Sequence, residues 1–364
     1  MNIAVFGYGT IGSGVVDLVK KSKYDIKVTK IFGRENKRQI IGELFEGNVD
    51  NIINDKSIDI VVETLGGKDL AYEVITKALK NKKHVITANK EVASWHFKEF
   101  MDLAKENNVM FLFEASVGGG VPIIKGISNV AKRDEINSIF GIINGTCNFI
   151  LTQMQLYNST FNDSINEAIR LGYAEKDPSS DLLGLDMIRK IAILTMISTN
   201  KIVDLNQISH MGIENITDKF MSFVNNKSCV IKFISEVIKL RDGKYHMAVL
   251  PVIVSKESIM AQTHNENNTI FLDCVDNGRL VFNGLGAGKY PTASSILSDI
   301  LDVLDNDNYV DYNANEYVSI DNDQLLRNYF VIDDNNIIKY IESARLSELK
   351  EYKFYALDKR TSTI

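Results

Sequence analysis

The sequence predicts an α/β protein with two domains: a first domain built on a parallel β-sheet and a second domain of the α+β class. Over about the first 130 residues, short apolar segments alternate with amphipathic ones at the spacing of strand–helix–strand units. Runs rich in β-branched residues, such as Ile58-Asp59-Ile60-Val61-Val62, are typical of strands buried on both faces of such a sheet. After about residue 135 the alternation ends, which indicates a second domain.

The elements of the first domain follow from their hydrophobic periodicity. Strands are predicted at residues 2–6, 27–32, 58–64, 84–87 and 109–114, and helices at 11–21, 69–80 and 92–107. Strands that alternate with helices are joined by right-handed crossovers and form a parallel sheet.

The second domain has a different order of elements. A strand is predicted at 136–143, helices at 149–157, 161–171 and 181–198, and strands at 230–240, 245–255, 269–275 and 279–282. Turns such as Asp276-Asn277-Gly278 favour antiparallel pairing of the later strands. A helix at 292–304 is expected to return to the first domain. Residues 1–130 with 284–312 are thus predicted to form one domain, and residues 131–283 the catalytic and dimerisation domain.

Composition restricts the class of protein. A net charge of −6 with scattered Lys and Arg argues against nucleic acid or an anionic membrane surface as the main partner. Cys147, Cys229 and Cys274 lie far apart, which suits a reducing compartment and supports neither zinc nor disulfides. No apolar run reaches the roughly 18 residues of a membrane span, and the N-terminus lacks a signal-peptide pattern. We therefore expect a soluble cytoplasmic protein.

A glycine-rich turn, Gly7-Tyr8-Gly9-Thr10-Ile11-Gly12, follows the first strand and opens the first helix. Gly7 permits a tight turn, Gly9 lets the backbone approach a pyrophosphate, and Gly12 allows the helix to pack closely on the strand. The helix N-terminus offers N–H groups to the phosphates. The alternative is a glycine-rich turn without a ligand. The strand and helix around the turn favour a Rossmann-type domain that binds NAD or NADP.

The end of the second strand bears on the choice of cofactor. NAD-binding domains usually carry an acid about twenty residues after the glycines, whereas this strand ends Ile31-Phe32-Gly33-Arg34. A guanidinium such as Arg34 can pair with a 2′-phosphate, and Lys37 and Arg38 lie near it. We therefore expect a slight preference for NADP. The alternative is that these cations are merely solvated.

Charges enter an otherwise apolar helix in the second domain. Asp186 and Lys190 are four residues apart and share a helix face, while most positions from Leu182 to Leu194 are apolar. A helix that is apolar all round is buried, so these two side chains face a polar cleft or pair internally. We favour a substrate site over a structural ion pair.

Five motifs resemble those of the homoserine dehydrogenase family and together cover most of residues 1 to about 310. They are Thr87-Ala88-Asn89-Lys90, the loop Glu114-Ala115-Ser116-Val117-Gly118-Gly119-Gly120-Val121-Pro122, the turn Gly141-Ile142-Ile143-Asn144-Gly145-Thr146-Cys147-Asn148, the stretch 172–190, and Gly286-Ala287-Gly288 with Pro291-Thr292-Ala293. The resemblance implies reversible reduction of L-aspartate 4-semialdehyde to L-homoserine with NAD(P)H, a reaction of threonine and methionine synthesis.

The resemblance also implies roles for individual residues. The implied substrate-binding residues are Glu175, Asp181, Asp186 and Gly145. Either Lys190 or Lys90 supplies the proton. Two lysines that face one site lower each other's pKa, which helps either of them act as an acid near neutral pH. The sequence does not decide between them, and we slightly favour Lys190. The implied cofactor-binding residues are Gly7, Gly9, Thr10, Ile11, Gly12, Arg34, Lys90, Ser116 and Gly288.

Two further expectations come from the resemblance. The Glu114 carboxylate and the carbonyls of Val117, Gly119 and Val121 are implied to hold a sodium or potassium ion. The alternative for Glu114 is a carboxylate that caps the N–H groups of its own turn. Family members dimerise through the sheet of the second domain, so a homodimer or higher homo-oligomer is expected.

Residues 313–364 fall outside the strong resemblance. A strand at 326–333, a helix at 336–346 and a strand at 352–356 are predicted. The segment from Arg327 to Val331 is faintly similar to the first strand of an ACT regulatory domain, but the segment is too short for that fold. We expect a small appendage or a truncated ACT-like remnant, with weak or absent inhibition by threonine.

Two rival functions remain open. One is a related semialdehyde or amino-acid dehydrogenase on the same scaffold, although Cys147 has no paired base and so does not support a phosphorylating aldehyde dehydrogenase. The other is a catalytically silent nucleotide-sensing regulator. A degenerate copy would be expected to lose Lys90, Asp186 or Lys190, and this chain retains all three.

Overall fold

A computed structural model describes residues 1–333, 335–349 and 352–358. Contacts between residues divide the chain into two compact units. The first unit consists of Met1–Arg133, Met196–Ile202 and Leu285–Glu316, and the second of Asp134–Thr195, Val203–Gly284 and the described part of Tyr317–Ile364.

Strands and helices alternate along most of the first unit and form longer runs in the second. The strands are β1 (Asn2–Phe6), β2 (Lys27–Phe32), β3 (Phe45–Glu46), β4 (Ile60–Glu63), β5 (His84–Thr87), β6 (Phe111–Leu112), β7 (Ile136–Ile142), β8 (Ser209–His210), β9 (Cys229–Lys239), β10 (Tyr245–Ser255), β11 (Asn267–Cys274), β12 (Gly278–Leu285), β13 (Arg327–Ile332), β14 (Ile338–Ala344) and β15 (Lys353–Leu357). The α-helices are α1 (Thr10–Lys21), α2 (Arg38–Ile41), α3 (Val49–Ile53), α4 (Asp69–Lys80), α5 (Lys90–Trp95), α6 (Phe97–Asn107), α7 (Ile123–Ala131), α8 (Gly145–Tyr157), α9 (Phe161–Leu171), α10 (Ser179–Leu182), α11 (Leu185–Thr199), α12 (Asp218–Asn225) and α13 (Lys289–Asp305). Within the described residues, no helix has both the length and the apolarity needed to cross a membrane.

Strands β1 to β6 form a parallel sheet in the order β3-β2-β1-β4-β5-β6. The central strands β1 and β4 are almost wholly buried, as their β-branched runs predict. The chain order along the sheet reverses between β1 and β4, and ligands bind such sheets beyond the carboxyl ends of the strands at this point. The predicted Rossmann-type fold is confirmed.

The second unit contains a mixed sheet, in the order β12-β11-β7-β9-β10-β15-β13-β14, with β8 also paired to β10. The long antiparallel pair β9–β10 forms its centre and runs from Cys229 opposite Ser255 to Lys239 opposite Tyr245. Strand β15 pairs parallel with β10 and antiparallel with β13, so it lies inside the sheet. The prediction of a second α+β domain is confirmed.

Two predicted helices are interrupted. The helix predicted at 92–107 is split at His96 into α5 and α6. The helix predicted at 181–198 is split into α10 and α11 at Gly184, whose φ is +84°. A Cβ at Gly184 would also lie 2.9 Å from Phe233 Cζ, so the backbone can pass this point only as glycine.

The predicted helix at 336–346 is wrong. Residues Ile338–Ala344 form β14, which pairs antiparallel with β13. Asp333 Oδ1 accepts the N–H of Ile337 at 2.9 Å, and Asn336 has a φ of +57°, so these residues form the turn between the two strands. Strands β13 to β15 extend the sheet of the second unit rather than forming a separate body.

A buried ion cluster attaches β13 to the centre of this sheet. The Arg327 guanidinium donates to Glu236 Oε1 at 2.5 Å and to Oε2 at 2.8 Å. His246 Nε2 lies 3.2 Å from the same Oε1. Glu236 is on β9 and Arg327 on β13, and β10 and β15 lie between these strands in the sheet. The cluster therefore joins strands that are not neighbours.

Candidate active site

Two acids and a lysine meet in the second unit. The Lys190 ammonium lies 2.8 Å from Asp186 Oδ2 and donates to the Ile143 carbonyl oxygen at 2.8 Å. The amide of Asn144 donates to Asp181 Oδ1 at 2.7 Å and to Asp186 Oδ2 at 2.9 Å. The side chains of Lys190 and Asp186 are only 11% and 4% exposed. Their attraction is therefore screened less than that of a surface pair.

Local structure fixes these side chains. Asn144 is the N-cap of α8, and its Oδ1 accepts the N–H of Cys147 at 2.8 Å, which turns its Nδ2 toward the acids. Asp181 lies on α10 and Asp186 on α11. The left-handed backbone of Gly184 turns the chain between these two helices. This turn brings both carboxylates to one amide.

The other two predicted substrate-binding residues lie outside this hydrogen-bond network. Gly145 is the first residue of α8. Glu175 is exposed, in a segment that is tied to α8 by a hydrogen bond of 2.6 Å from Thr146 Oγ1 to the Tyr173 carbonyl oxygen. The structure thus brings together the two buried acids and the lysine, while Glu175 remains at the surface of the second unit.

Cys147 lies beside the network and is wholly buried. Its Sγ donates to the Asp181 carbonyl oxygen at 3.2 Å. Burial, followed by the charges of Asp181 and Asp186, raises the pKa of the Cys147 thiol well above its usual range. A thiol that keeps its proton is a poor nucleophile, which agrees with the argument against a phosphorylating aldehyde dehydrogenase.

The glycine-rich turn of the first unit leads from β1 into α1. Gly7 has a φ of +102°, and a Cβ there would lie 2.7 Å from the Thr64 carbonyl oxygen. A Cβ at Gly12 would lie 1.9 Å from the Gly7 carbonyl oxygen. Gly9 is the N-cap of α1, and nothing among the described residues lies within 4 Å of its Cβ position. The turn therefore leaves space over the start of α1.

Two helix N-termini carry further predicted cofactor residues. Thr10 and Ile11 are the first two residues of α1, and Gly288 directly precedes α13. Helix α13 packs along α1, where the Lys289 ammonium lies 2.8 Å from Asp17 Oδ2. Within the described chain, neither N-terminus is capped by the side chain of its N-cap residue, which is glycine in both. Their N–H groups and helix dipoles favour an anionic ligand.

Arg34 is exposed just after β2. The acid that follows it, Glu35, is already paired: Arg38 Nε lies 2.5 Å from Glu35 Oε1, and Nη2 lies 3.1 Å from Oε2. The Arg38 guanidinium also lies over the Phe45 ring, 4.2 Å from its centroid. All three cations near this strand end are exposed, and Arg38 is engaged within the chain by its pairing with Glu35.

Lys90 is the first residue of α5, directly after β5. Asn89 is the N-cap, and its Oδ1 accepts the N–H groups of Glu91 and Val92 at 3.2 Å each. Lys90 therefore lies beyond the carboxyl end of a parallel strand, the edge at which such sheets bind ligands.

Glu114 is buried, and both of its carboxylate oxygens have partners. Oε1 accepts the N–H of Ile124 at 2.9 Å and Oε2 the N–H of Lys125 at 2.8 Å. Burial raises the pKa of Glu114 to about 7. The Glu114 carboxyl group therefore caps the N-terminus of α7. The alternative left open by the sequence was that Glu114 caps the N–H groups of its own turn; in the structure, the capped N–H groups belong to α7. Ser116 is buried nearby, and its hydroxyl has no hydrogen-bond partner in the described part of the chain.

Two of the three carbonyls predicted to complete a cation site accept hydrogen bonds within the chain. Gly119 O accepts from Ser295 Oγ at 2.6 Å, and Val121 O accepts the N–H of Ile123 at 2.8 Å. Val117 precedes them in the same loop and is buried. In residues 1–333, 335–349 and 352–358, no three His, Cys, Asp or Glu side chains are placed to hold a metal ion.

Asn144 is the residue that sequence reasoning missed, since it was quoted only as part of a motif. An asparagine directly before an apolar helix is a typical N-cap. The signal was hidden because the helix was predicted to begin at residue 149, whereas α8 begins at Gly145.

Two family models match the chain. The NAD-binding domain of homoserine dehydrogenase matches residues 7–114, and the homoserine dehydrogenase domain matches residues 122–301. The homoserine dehydrogenase of Bacillus subtilis (strain 168) is 36% identical over 319 residues, which are 84% of this chain and 73% of that protein. The chain belongs to the homoserine dehydrogenase family. It is therefore an NAD(P)-dependent oxidoreductase, and the resemblance predicted from the five motifs is confirmed.

Solved structures of homoserine dehydrogenases share this architecture. The enzyme from Thiobacillus denitrificans matches with a TM-score of 0.88 over 98% of both chains at 24% identity, which establishes a common fold. A hyperthermophilic archaeal homoserine dehydrogenase in complex with NADPH matches with a TM-score of 0.73 at 26% identity, over 85% of this chain and 99% of that one.

Proposed function

We propose that this chain catalyses the reversible, NAD(P)H-dependent reduction of L-aspartate 4-semialdehyde to L-homoserine, in threonine and methionine biosynthesis. The observation that carries the proposal is the Lys190–Asp186 pair, held nearly out of water by the Asn144 amide. Charges are costly to bury, and a buried ion pair adds little stability in itself. We therefore infer that this chain keeps the buried pair for its substrate.

Each side chain of the site has a proposed task. The substrate carries an ammonium group and a hydroxyl, for which Asp186 and Glu175 supply acceptors, with Asp181 close behind them. Gly145 is proposed to contribute its backbone at the start of α8, where the lack of a side chain lets the helix approach Glu266: a Cβ would lie 3.0 Å from the Glu266 carbonyl oxygen. Of the three N–H donors of the Lys190 ammonium, Asp186 and Ile143 account for two. The third is proposed to serve the substrate oxygen, as the proton donor to the developing alkoxide.

The residues of the first unit suit a nicotinamide dinucleotide. Three features support this fit: the open space over Gly9, the N-termini of α1 and α13, and the buried, orphaned hydroxyl of Ser116. The N–H groups that begin at Thr10 would hold the pyrophosphate. When bound, the cofactor donates or accepts the hydride.

We propose a preference for NADP, because Arg34 is exposed beside β2 and Glu35 is neutralised by Arg38. Arg34→Ala should raise the KM for NADPH about 10-fold and change the KM for NADH by less than about 2-fold, since a bidentate contact to a phosphate contributes roughly 1–2 kcal/mol. Steady-state kinetics with both cofactors measure this, and Lys80→Ala, an exposed lysine at the end of α4, is the control. Similar KM values for NADH and NADPH, unmoved by Arg34→Ala, would contradict the preference.

A monovalent cation fits this structure less well. Glu114, Gly119 and Val121 already accept hydrogen bonds from α7, Ser295 and Ile123, so we derive no catalytic step through a cation. We expect activity to stay within about 2-fold when sodium and potassium are replaced by a bulky organic cation at equal ionic strength, because the Glu114, Gly119 and Val121 oxygens each have a hydrogen-bond partner within the chain. A loss of activity that potassium restores would establish the cation site instead.

We also propose a cytoplasmic homo-oligomer. Three free, buried cysteines suit a reducing compartment. Strand β12 is at the edge of the second sheet, and Val281 on it is 41% exposed. An apolar residue on an open edge supports association of two copies through this sheet.

The proposed reaction is tested by homoserine-dependent reduction of NADP and NAD, followed by the absorbance of the reduced nicotinamide. Turnover with L-homoserine, with serine and threonine as control substrates, is the expected result. Cofactor binding without turnover of homoserine would overturn the proposal in favour of another semialdehyde substrate or a silent nucleotide sensor.

A further inference from the structure

Strand β4 ends at Glu63, a buried carboxyl group that the proposed chemistry does not use. Glu63 has no exposed surface and is paired in register with Thr87, the last residue of β5. Burial raises its pKa to about 7, opposed by hydrogen bonds from Thr87, Leu65 and Asn89. A buried carboxyl group is costly, so its retention at a ligand-binding edge of the sheet calls for a task.

Both oxygens of Glu63 accept a hydrogen bond. Thr87 Oγ1 donates to Oε2 at 2.5 Å, and the N–H of Leu65 donates to Oε1 at 2.6 Å. Thr87 Oγ1 in turn accepts the N–H of Asn89 at 2.9 Å. The ionised carboxylate satisfies both donors at once, because it accepts at each oxygen.

Asn89 continues the chain of contacts into α5. Its Oδ1 caps the helix that begins at Lys90, and its Nδ2 donates to the Gly67 carbonyl oxygen at 2.7 Å. The side chains of Glu63, Thr87 and Asn89, which we call the acid clamp, therefore join the loop after β4 to the loop after β5. The charged side chains next along α5 are Lys90 and Glu91.

The loop after β4 also supports the glycine-rich turn. Thr64 follows Glu63, and its Oγ1 donates to the carbonyl oxygens of Phe6 and Gly7 at 3.0 Å each. The Gly7 backbone approaches Thr64 so closely that a Cβ would lie 2.7 Å from the Thr64 carbonyl oxygen. Thr64, the residue directly after Glu63, thus contacts the turn proposed to hold the pyrophosphate, and Asn89, at the other end of the acid clamp, directly precedes Lys90.

We propose that Glu63 is a positioning residue, which through Thr87 and Asn89 holds Lys90 in fixed register with the cofactor turn. The proposal rests on the proposed function, together with the role that the family resemblance implies for Lys90 as a cofactor-binding residue and alternative proton donor. Positioning of this kind matters because a displacement of about 1 Å at a reacting group costs on the order of 100-fold in rate.

Glu63→Gln tests the proposal. The variant keeps the shape but points an amide N–H₂ at one of two hydrogen-bond donors. We expect kcat to fall about 10- to 100-fold and the Kd for NADPH to change by less than about 3-fold. Wild-type kcat should fall as the pH drops through about 7, where the Glu63 carboxylate takes up a proton, and this contribution to the pH profile should be lost in the variant. Glu73→Gln, on the exposed face of α4, is the matched control.

Thr87 gives a second pair of variants in case Glu63→Gln folds poorly. Thr87→Val removes the hydroxyl and should reproduce the loss of kcat, whereas Thr87→Ser keeps the hydroxyl and should retain most of the rate. Normal kcat and an unchanged pH profile in folded Glu63→Gln and Thr87→Val would overturn the proposal. So would a loss of kcat that Thr87→Ser shares.

Hydrogen–deuterium exchange separates this proposal from the proposed function. Loss of the acid clamp should speed exchange at the N–H groups of Glu91, Val92 and Leu65, with little change in α4. If wild type fails to turn over homoserine but Glu63→Gln speeds exchange there, the clamp stands and the proposed function fails. If wild type is active and the variant alters neither exchange nor rate, the clamp fails alone.

Discussion

Lys190→Ala should lower kcat for homoserine oxidation about 100- to 10,000-fold, the range typical of losing a general acid–base group. The Kd for NADPH should change by less than about 2-fold, because the predicted cofactor residues lie in the first unit. The physical reason is that the variant removes the ammonium held between Asp186 and the Ile143 carbonyl oxygen. Stopped-flow and steady-state kinetics with L-homoserine measure the effect.

Two more variants decide what Lys190 does. Lys190→Arg keeps the positive charge but does not release a proton near neutral pH. If Lys190 delivers the proton, Arg should be as inactive as Ala, and if it only holds charge, Arg should restore much of the rate. Lys219→Ala, an exposed lysine on α12, is the control. A fully active Lys190→Ala beside an inactive Lys90→Ala would assign the proton to Lys90.

Arg327→Met should lower the free energy of unfolding by about 3–5 kcal/mol, because it leaves the buried Glu236 carboxylate without its cation. The Met side chain fills much of the space but donates no hydrogen bond. Urea titration followed by circular dichroism measures the loss. The effect should be accompanied by faster proteolysis within 327–358, since Arg327 attaches β13 to the centre of the sheet.

The chain offers a matched control for this prediction. Arg170 and Glu167 form an equally bidentate pair, at 2.7 and 2.6 Å, but on the exposed face of α9. Arg170→Met should cause no measurable loss, because exposed pairs contribute little. Adding Glu236→Gln to Arg327→Met should recover a large part of the stability, since the unpaired charge is gone. Equal losses in the two single Arg variants would refute the argument from burial.

Most elements of the first unit could be predicted, because their signals are local. The predicted strand at 27–32 is β2, and the predicted helix at 69–80 is α4. The 2-residue alternation, the 3.6-residue periodicity and the glycine turn each act within a few residues. In the candidate site, the helix spacing placed Asp186 and Lys190 on one helix face, and in the structure they form an ion pair, which was the alternative to a substrate site.

The features that the sequence did not predict depend on contacts between residues that are distant in sequence. Ile338 to Ala344 is too short and too polar to indicate a strand alone, and it becomes β14 because β13 offers a partner. The break at Gly184 depends on Phe233, nearly 50 residues away, whose ring occupies the place of a Cβ. Glu63 and Thr87 meet only because β4 and β5 are neighbours in the sheet. No local pattern could have predicted the acid clamp.

The position of β15 in the second sheet affects how the protein folds while it is being synthesised. Along the chain β15 comes after every other strand of the second sheet, yet it lies between β10 and β13. Until residues 353–357 leave the ribosome, β10 and β13 each present an unpaired edge, and such edges pair readily with other nascent chains. The parallel sheet of the first unit has all its strands by Leu112. The first sheet is therefore complete before β10 is made, whereas the second unit keeps an unpaired edge on β10 from the synthesis of Ser255 until that of Leu357.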